Sequence, residues 1–350
     1  MPSSNHNSRP LLGFLSAYVP EELFHAAGFA PTFIFPTPDD RGRARAHLPG
    51  FTCWIVGSAL DLALAGELDN LAGMALAKTC DTTQGLADLW QHNVGHIPFF
   101  HFGMPLRLDS PSTRPYLLAE LESLRERIQA QTGRSITDDA LWASIVLYNR
   151  TRALVRGVYA RASDYSPPDL YDLVQAAFRT PKEAYNHHLA ELLEKPFVPY
   201  YNGQSARLIL VGPSLGASVL FDVLAEVGAC VAGDLFDLGE RYFGVDAADD
   251  EHTAPLESLA DRLLALVHTP TKHHSTRTRQ EHLLALIRER NAGGVIFARQ
   301  KFCEPHGFDY VPLSHALDQA GVPHLLIELE QASQAGQLRT RVEAFVEMIT

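Results

Sequence analysis

Residues 71–90, LAGMALAKTCDTTQGLADLW, decide the fold. The first seven are almost wholly apolar, and so short a run reads as a strand buried on both faces. From Asp81 to Trp90 the pattern becomes helical, with an acidic residue at the start, where the helix dipole favours it. A buried strand that turns directly into a helix is half of a βαβ unit. Its parallel sheet needs helices on both faces.

The same alternation extends outward. Toward the N-terminus, 11–15 (LLGFL) reads as a strand and 20–27 (PEELFHAA) as a helix with proline at its first position and Gly28 at its end. Residues 31–35 (PTFIF) are extended, 54–65 form a helix closed by Gly66, and 97–102 return as strand. Between 111 and 193 the strand signal stops. Helices are expected at 114–132, 137–159, 168–178 and 181–193, the second capped by Thr137 ahead of Asp138 and Asp139. Strands then recur at 207–211, 230–235, 294–298 and 324–329, with helices at 214–227, 256–267, 276–290, 313–320 and 336–349. No sequence repeat is visible. The expected fold is α/β, with two open parallel-sheet, Rossmann-like domains joined by a helical segment. The expected parts are 1–110 with Cys53 and Cys80, a helical bridge over 111–198, and 199–350 with Cys303. A cleft is expected between the two α/β parts.

Composition narrows the function. Across 350 residues, 46% hydrophobic and 20% charged content excludes wholesale disorder. A net charge of −12 leaves no basic stripe for nucleic acid. No apolar run is long enough to cross a bilayer, and residues 1–9 lack the apolar core of a secretory signal. A cytoplasmic protein is expected. In that reducing compartment Cys53, Cys80, Cys230 and Cys303 are too scattered for a disulfide scaffold; they are buried thiols, metal ligands or reactive groups.

Position separates the four. Cys80 and Cys303 follow predicted strands, at the carboxyl ends where open α/β sheets hold ligands. Cys53 and Cys80 directly precede predicted helices, whose free amides and dipole stabilise thiolate. Lys78 and Lys301 each lie two residues before a cysteine. Cys230 sits inside an apolar strand and reads as core. No Cys-x-x-Cys or zinc spacing is present, so a shared site would be assembled from distant parts of the chain. Three thiolates on a [4Fe-4S] cluster would leave one iron open to substrate.

Four stretches together resemble a known family: 13–28 (GFLSAYVPEELFHAAG), 49–62 (PGFTCWIVGSALDL), 78–90 (KTCDTTQGLADLW) and 294–313 (GVIFARQKFCEPHGFDYVPL). In this order they are similar to the 2-hydroxyacyl-CoA dehydratase D-component family, which includes the B and C subunits of ATP-dependent benzoyl-CoA reductase. The resemblance implies a [4Fe-4S] cluster held by Cys53, Cys80 and Cys303. It implies a second dehydratase-type subunit, identical or paralogous. It also implies an ATP-hydrolysing iron–sulfur activator that delivers one strongly reducing electron. The implied reaction is radical: a 2-hydroxyacyl-CoA thioester becomes a ketyl that expels the C2 hydroxyl, and the electron is recovered. In the reductase branch the electrons stay on the ring. The cleft would shield such chemistry from water and oxygen.

Other residues carry smaller expectations. Ser16 either hydrogen-bonds the thioester or the leaving hydroxyl, or bonds only locally. Glu21 and Glu22 read as first-turn acids placed by the helix dipole. His306 reads as a donor toward the cluster, and Asp81 and Thr82 as a helix start whose amides face sulfur. Residues 212–216 (GPSLG) read as a tight turn, and the basic run 269–279 (TPTKHHSTRTR) as a solvated loop. Two other functions compete with the dehydratase: a benzoyl-CoA-reductase-like or double-cubane reductase subunit, and a metal-free α/β clamp for a small molecule.

Overall fold

The computed structural model describes residues 9–37, 42–201, 205–213, 218–250, 252–266, 269–330 and 335–350. All but the last residue of the N-terminal signal reading (1–9), and most of the 212–216 turn, fall outside these residues. Among the described residues, eight strands make two sheets of four. The first holds β1 (Leu11–Phe14), β2 (Ala30–Phe33), β3 (Gly73–Lys78) and β4 (Phe99–Gly103) in the order β2-β1-β3-β4. The second holds β5 (Arg207–Gly212), β6 (Cys230–Phe236), β7 (Gly294–Gln300) and β8 (His324–Leu329) in the order β6-β5-β7-β8. All pairings are parallel. The α/β class with two parallel sheets is therefore as the alternation predicts.

The helices are α1 (Glu21–Ala26), α2 (Trp54–Leu64), α3 (Asp81–Asn93), α4 (Thr113–Thr132), α5 (Asp138–Ala160), α6 (Pro167–Ala176) and α7 (Lys182–Glu194). After β5 come α8 (Ser218–Glu226), α9 (Glu240–Phe243), α10 (Pro255–Ala265), α11 (Thr276–Glu289), α12 (Glu304–Ala320) and α13 (Ala335–Ile349). None among the described residues is long and apolar enough to cross a membrane.

Successive strand residues point to opposite faces, and both faces are covered. On β3, Ala75 and Ala77 enter one apolar cluster while Met74 and Leu76 enter another against α2 and α3. On β7, Ile296 and Ala298 join the first cluster and Val295 and Phe297 a third. The first cluster runs without a break from β1 through the helices α4–α7 to β5 and β6. The helical segment thus shares one core with both sheets.

The two sheets repeat one topology although the sequence shows no repeat. In each, the second strand lies on one side of the first and the third and fourth on the other. The chain switches direction between β1 and β3, and again between β5 and β7. Loops leaving those neighbours diverge and open a crevice at the carboxyl end. Ser16 and Cys80 leave the first switch point; Pro213 and Cys303 leave the second. Gly212 is needed there because a Cβ would lie 2.2 Å from the Ala298 carbonyl oxygen. A close strand approach therefore accounts for this glycine.

Three expectations change. The helix expected at 313–320 begins at Glu304, directly after Cys303, because Pro305 occupies a first-turn position and Pro312 is tolerated inside. Glu21 and Glu22 do start α1, but both are buried and paired: Glu21 Oε2 lies 3.1 Å from Lys182 Nζ, and Glu22 pairs with the buried Arg152. The helix dipole alone does not account for them. The run 269–279 is no solvated loop. Thr269 and Lys272 are buried, Arg279 pairs with Asp309 at 2.6 Å, and the His273 amide donates to the Leu106 carbonyl.

Candidate active site

Each of the three cysteines set apart by position is the residue immediately before a helix: Cys53 before α2, Cys80 before α3 and Cys303 before α12. The sequence alone points to only two of these. Helix N-termini direct unpaired amides at whatever precedes them. At Cys80 this becomes a reciprocal cap. The Thr83 amide donates to the sulfur, and Thr83 Oγ1 accepts the Cys80 amide at 3.1 Å. Thr83 Oγ1 also donates to the Cys80 carbonyl at 2.8 Å. A threonine three residues past the cysteine is a capping-box pattern, and it is legible in KTCDTT. The chain reaches Cys303 through Phe302, whose φ of 65° lies in the left-handed region.

Burial pushes the Cys53 thiol up to about 11, opposed by the amides of Val56 and Ile55 and reinforced by the charge of Cys80. Burial likewise pushes Cys303 up to about 12; the His306 amide opposes this, while Cys53, Asp237 and Cys80 reinforce it. All three thiols are half-buried and lie within reach of one another's charge. Trp54 Nε1–H donates to Gln300 Oε1, tying the helix after Cys53 to the strand before Cys303. Cys230 is apart from them, buried in β6.

Cys53, Cys80 and Ser16 line one cavity of about 250 Å³, walled by Tyr18, Tyr242 and Leu266. Cys303 lies outside it, in an outward depression with Phe302 and Phe308. Ser16 is buried and its Oγ accepts the Tyr18 amide at 3.2 Å. Its hydroxyl is thus both locally bonded and on the cavity wall. The His306 imidazole bonds Asp237, with Nε2 3.2 Å from Asp237 Oδ2, while its amide acts on Cys303. Asp237 also pairs with Arg241 at 3.1 Å, and both line the cavity.

Among the described residues, no three His, Cys, Asp or Glu side chains are gathered tightly enough for a single metal ion. A polynuclear group spreads its ligands over separate metal corners, and thiolates are its preferred donors. Three half-buried thiols close to one another, each immediately before a helix, fit such a group in donor chemistry. Cys53, Cys80 and Cys303 would hold it.

Glu240 also lines the cavity. Burial and the Asp234 carboxylate push it up to about 8, although Arg290 lies only 2.9 Å away and opposes the shift. The folded chain then keeps a proton that the unfolded chain releases near pH 4.5. Stability from this group is present below that pH and falls as pH rises toward 8. Glu240→Gln is expected to flatten this decline, read as urea midpoints at pH 5, 6.5 and 8. A wild-type slope retained in the variant would assign the decline to other groups.

A family model described as 2-hydroxyglutaryl-CoA dehydratase, D-component, matches residues 16–349. The (R)-phenyllactyl-CoA dehydratase beta subunit of Clostridium sporogenes is 26% identical over 97% of this chain and 91% of its own length. Lactoyl-CoA dehydratase subunit beta of Anaerotignum propionicum is 28% identical, covering 97% and 91%. A benzoyl-CoA reductase subunit of Thauera aromatica is 29% identical, covering 95% and 88%. The matched stretch takes in every described strand except β1 and the loops that leave the switch points, so the chain belongs to the 2-hydroxyglutaryl-CoA dehydratase D-component family.

Proposed function

We propose that this chain is the iron–sulfur subunit of a 2-hydroxyacyl-CoA dehydratase, a lyase that removes water from its substrate by radical chemistry. It works with a second dehydratase-type subunit and an ATP-hydrolysing iron–sulfur activator, in the cytoplasm. Cys53, Cys80 and Cys303 hold a [4Fe-4S] cluster, which when bound supplies a low-potential one-electron centre with one iron free of protein sulfur. The proposed division of the chain is 1–110, 111–198 and 199–350. The observation that carries this reading is the meeting of three helix N-termini, each headed by a cysteine, within reach of one another's charge. Two of the relatives named above are dehydratase beta subunits, which favours elimination over ring reduction and implies a partner subunit.

The protein's own groups have definite tasks in this reading. The helix-terminal amides of Thr83 and His306 donate toward the sulfurs of Cys80 and Cys303. The apolar walls beside Cys53 and Cys80 exclude water. Ser16 places a hydroxyl on that wall to hydrogen-bond the thioester or the departing hydroxyl.

Iron and acid-labile sulfide analysis of protein purified without oxygen tests the cluster. Dehydration of a 2-hydroxyacyl-CoA by the chain with its partner and activator tests the reaction. A colourless, iron-free product of iron-replete anoxic expression would replace this reading with a metal-free clamp. Ser16→Ala is expected to retain full iron and to lose about 1 kcal/mol of stability with the Tyr18 bond. It is also expected to lower turnover about tenfold, the equivalent of ~1.4 kcal/mol at the barrier. Unchanged turnover would confine Ser16 to its local turn.

A further inference from the structure

Lys272 comes from the loop between α10 and α11, yet it is buried, 3% exposed, against the N-terminal sheet. Its Nζ lies 3.5 Å from the carbonyl oxygens of Lys78, at the end of β3, and of Met104, after β4. The ammonium stands 5.4 Å from the centre of the Tyr18 ring. It lines, with Cys80, a second and more polar cavity of about 700 Å³. Among the described residues no carboxylate pairs with it; burial lowers its pKa to about 8, and Cys80 opposes that shift. A buried ammonium without an anion is costly, and a negative charge brought to this cavity would keep it protonated.

We propose that Lys272 is the built-in counter-charge of the sulfur site, a positioning residue that holds positive charge beside Cys80 and raises the reduction potential of the cluster there. This rests on the cluster reading above. Adding an electron to a thiolate-bound cluster adds negative charge to a half-buried site. A fixed cation nearby favours that state, in the same way that cations favour thiolate over thiol. Two neutral carbonyls and a ring face orient the ammonium without cancelling its charge.

The test compares wild type, Lys272→Arg and Lys272→Met as full-length chains reconstituted without oxygen, by redox titration of the cluster's electron paramagnetic resonance signal. In Lys272→Met the equilibrium constant for one-electron reduction is expected to fall about tenfold, a shift of roughly 59 mV to lower potential. Lys272→Arg is expected to stay within about threefold of wild type, since it keeps the charge. A Lys272→Met chain that carries full iron at the wild-type potential overturns the proposal and leaves Lys272 a tie between the two halves.

A second measurement needs no iron. In the apo chain, mass spectrometry gives the rates at which Cys80 reacts with iodoacetate and with neutral iodoacetamide. The rate ratio is expected to fall roughly threefold in Lys272→Met, within the range of one charge pair. An equal ratio overturns the pairing. This measurement decides the matter if Lys272→Met alone fails to load. If wild type too takes up no iron, the cluster reading has failed while the ratio still tests Lys272.

Discussion

Cys80→Ser protein purified without oxygen is expected to fall from about four irons per chain to less than one. Its unfolding midpoint should match that of the iron-free wild type. Serine is among the best residues to precede a helix, so it keeps the cap that Cys80 now makes with Thr83. A hydroxyl is not a thiolate, however, and soft iron–sulfur groups need the latter. The same outcome is expected at Cys53 and Cys303, which also head helices. Cys230→Ser should do the reverse. It keeps all its iron and loses roughly 1–3 kcal/mol, because a hydroxyl enters a fully buried strand position. Iron retained in Cys80→Ser, or lost in Cys230→Ser, would remove the cluster from the helix-terminal set.

The largest stability effect is expected at Arg152→Met. Arg152 and Glu22 are each about 1% exposed and pair directly, with Arg262 and the Glu21–Lys182 pair beside them. Burial alone would push the Glu22 carboxyl up; the charges of Arg152 and Arg262 and the hydrogen bond from Arg152 outweigh it and bring it below the usual value. Removing Arg152 leaves a carboxylate stranded in a dry interior, at a cost of about 3–5 kcal/mol, measured as a lower urea midpoint at pH 7. Glu22→Gln combined with Arg152→Met should recover most of it.

The acid response should change sign as well. In wild type, Glu22 contributes stability that is present above about pH 4.5 and lost as pH falls through its lowered folded value. In Arg152→Met burial prevails, the folded value rises above the unfolded one, and acidification restores stability. A variant as stable as wild type at pH 7 would mean that Arg262 alone neutralises Glu22.

The strand–helix alternation is legible because each element is written within a few residues: apolar runs for β3 and β7, acidic starts and glycine ends for the helices. Position relative to those elements is enough to separate Cys53, Cys80 and Cys303 from Cys230. A local rule applied too strictly misleads. The prolines of α12 hide its first turns and with them the third cysteine-headed helix. Thr83 lies in plain view, but its significance depends on a helix beginning at Asp81.

By itself the sequence determined the α/β class, the two sets of parallel strands and the separation of three cysteines from Cys230 by their place at strand ends and helix starts. Those features rest on periodicity and helix-end chemistry, which act over a few residues. Only the tertiary structure decided the repeated strand order of the two sheets, the Asp237 partner of His306, the burial of Lys272 beside Cys80 and the pairing of Glu22 with Arg152. These depend on contacts between distant segments, 130 residues apart in the Glu22–Arg152 pair. Whether a charged side chain ends in water or in a dry junction is set by what packs over it, and local sequence carries no trace of that.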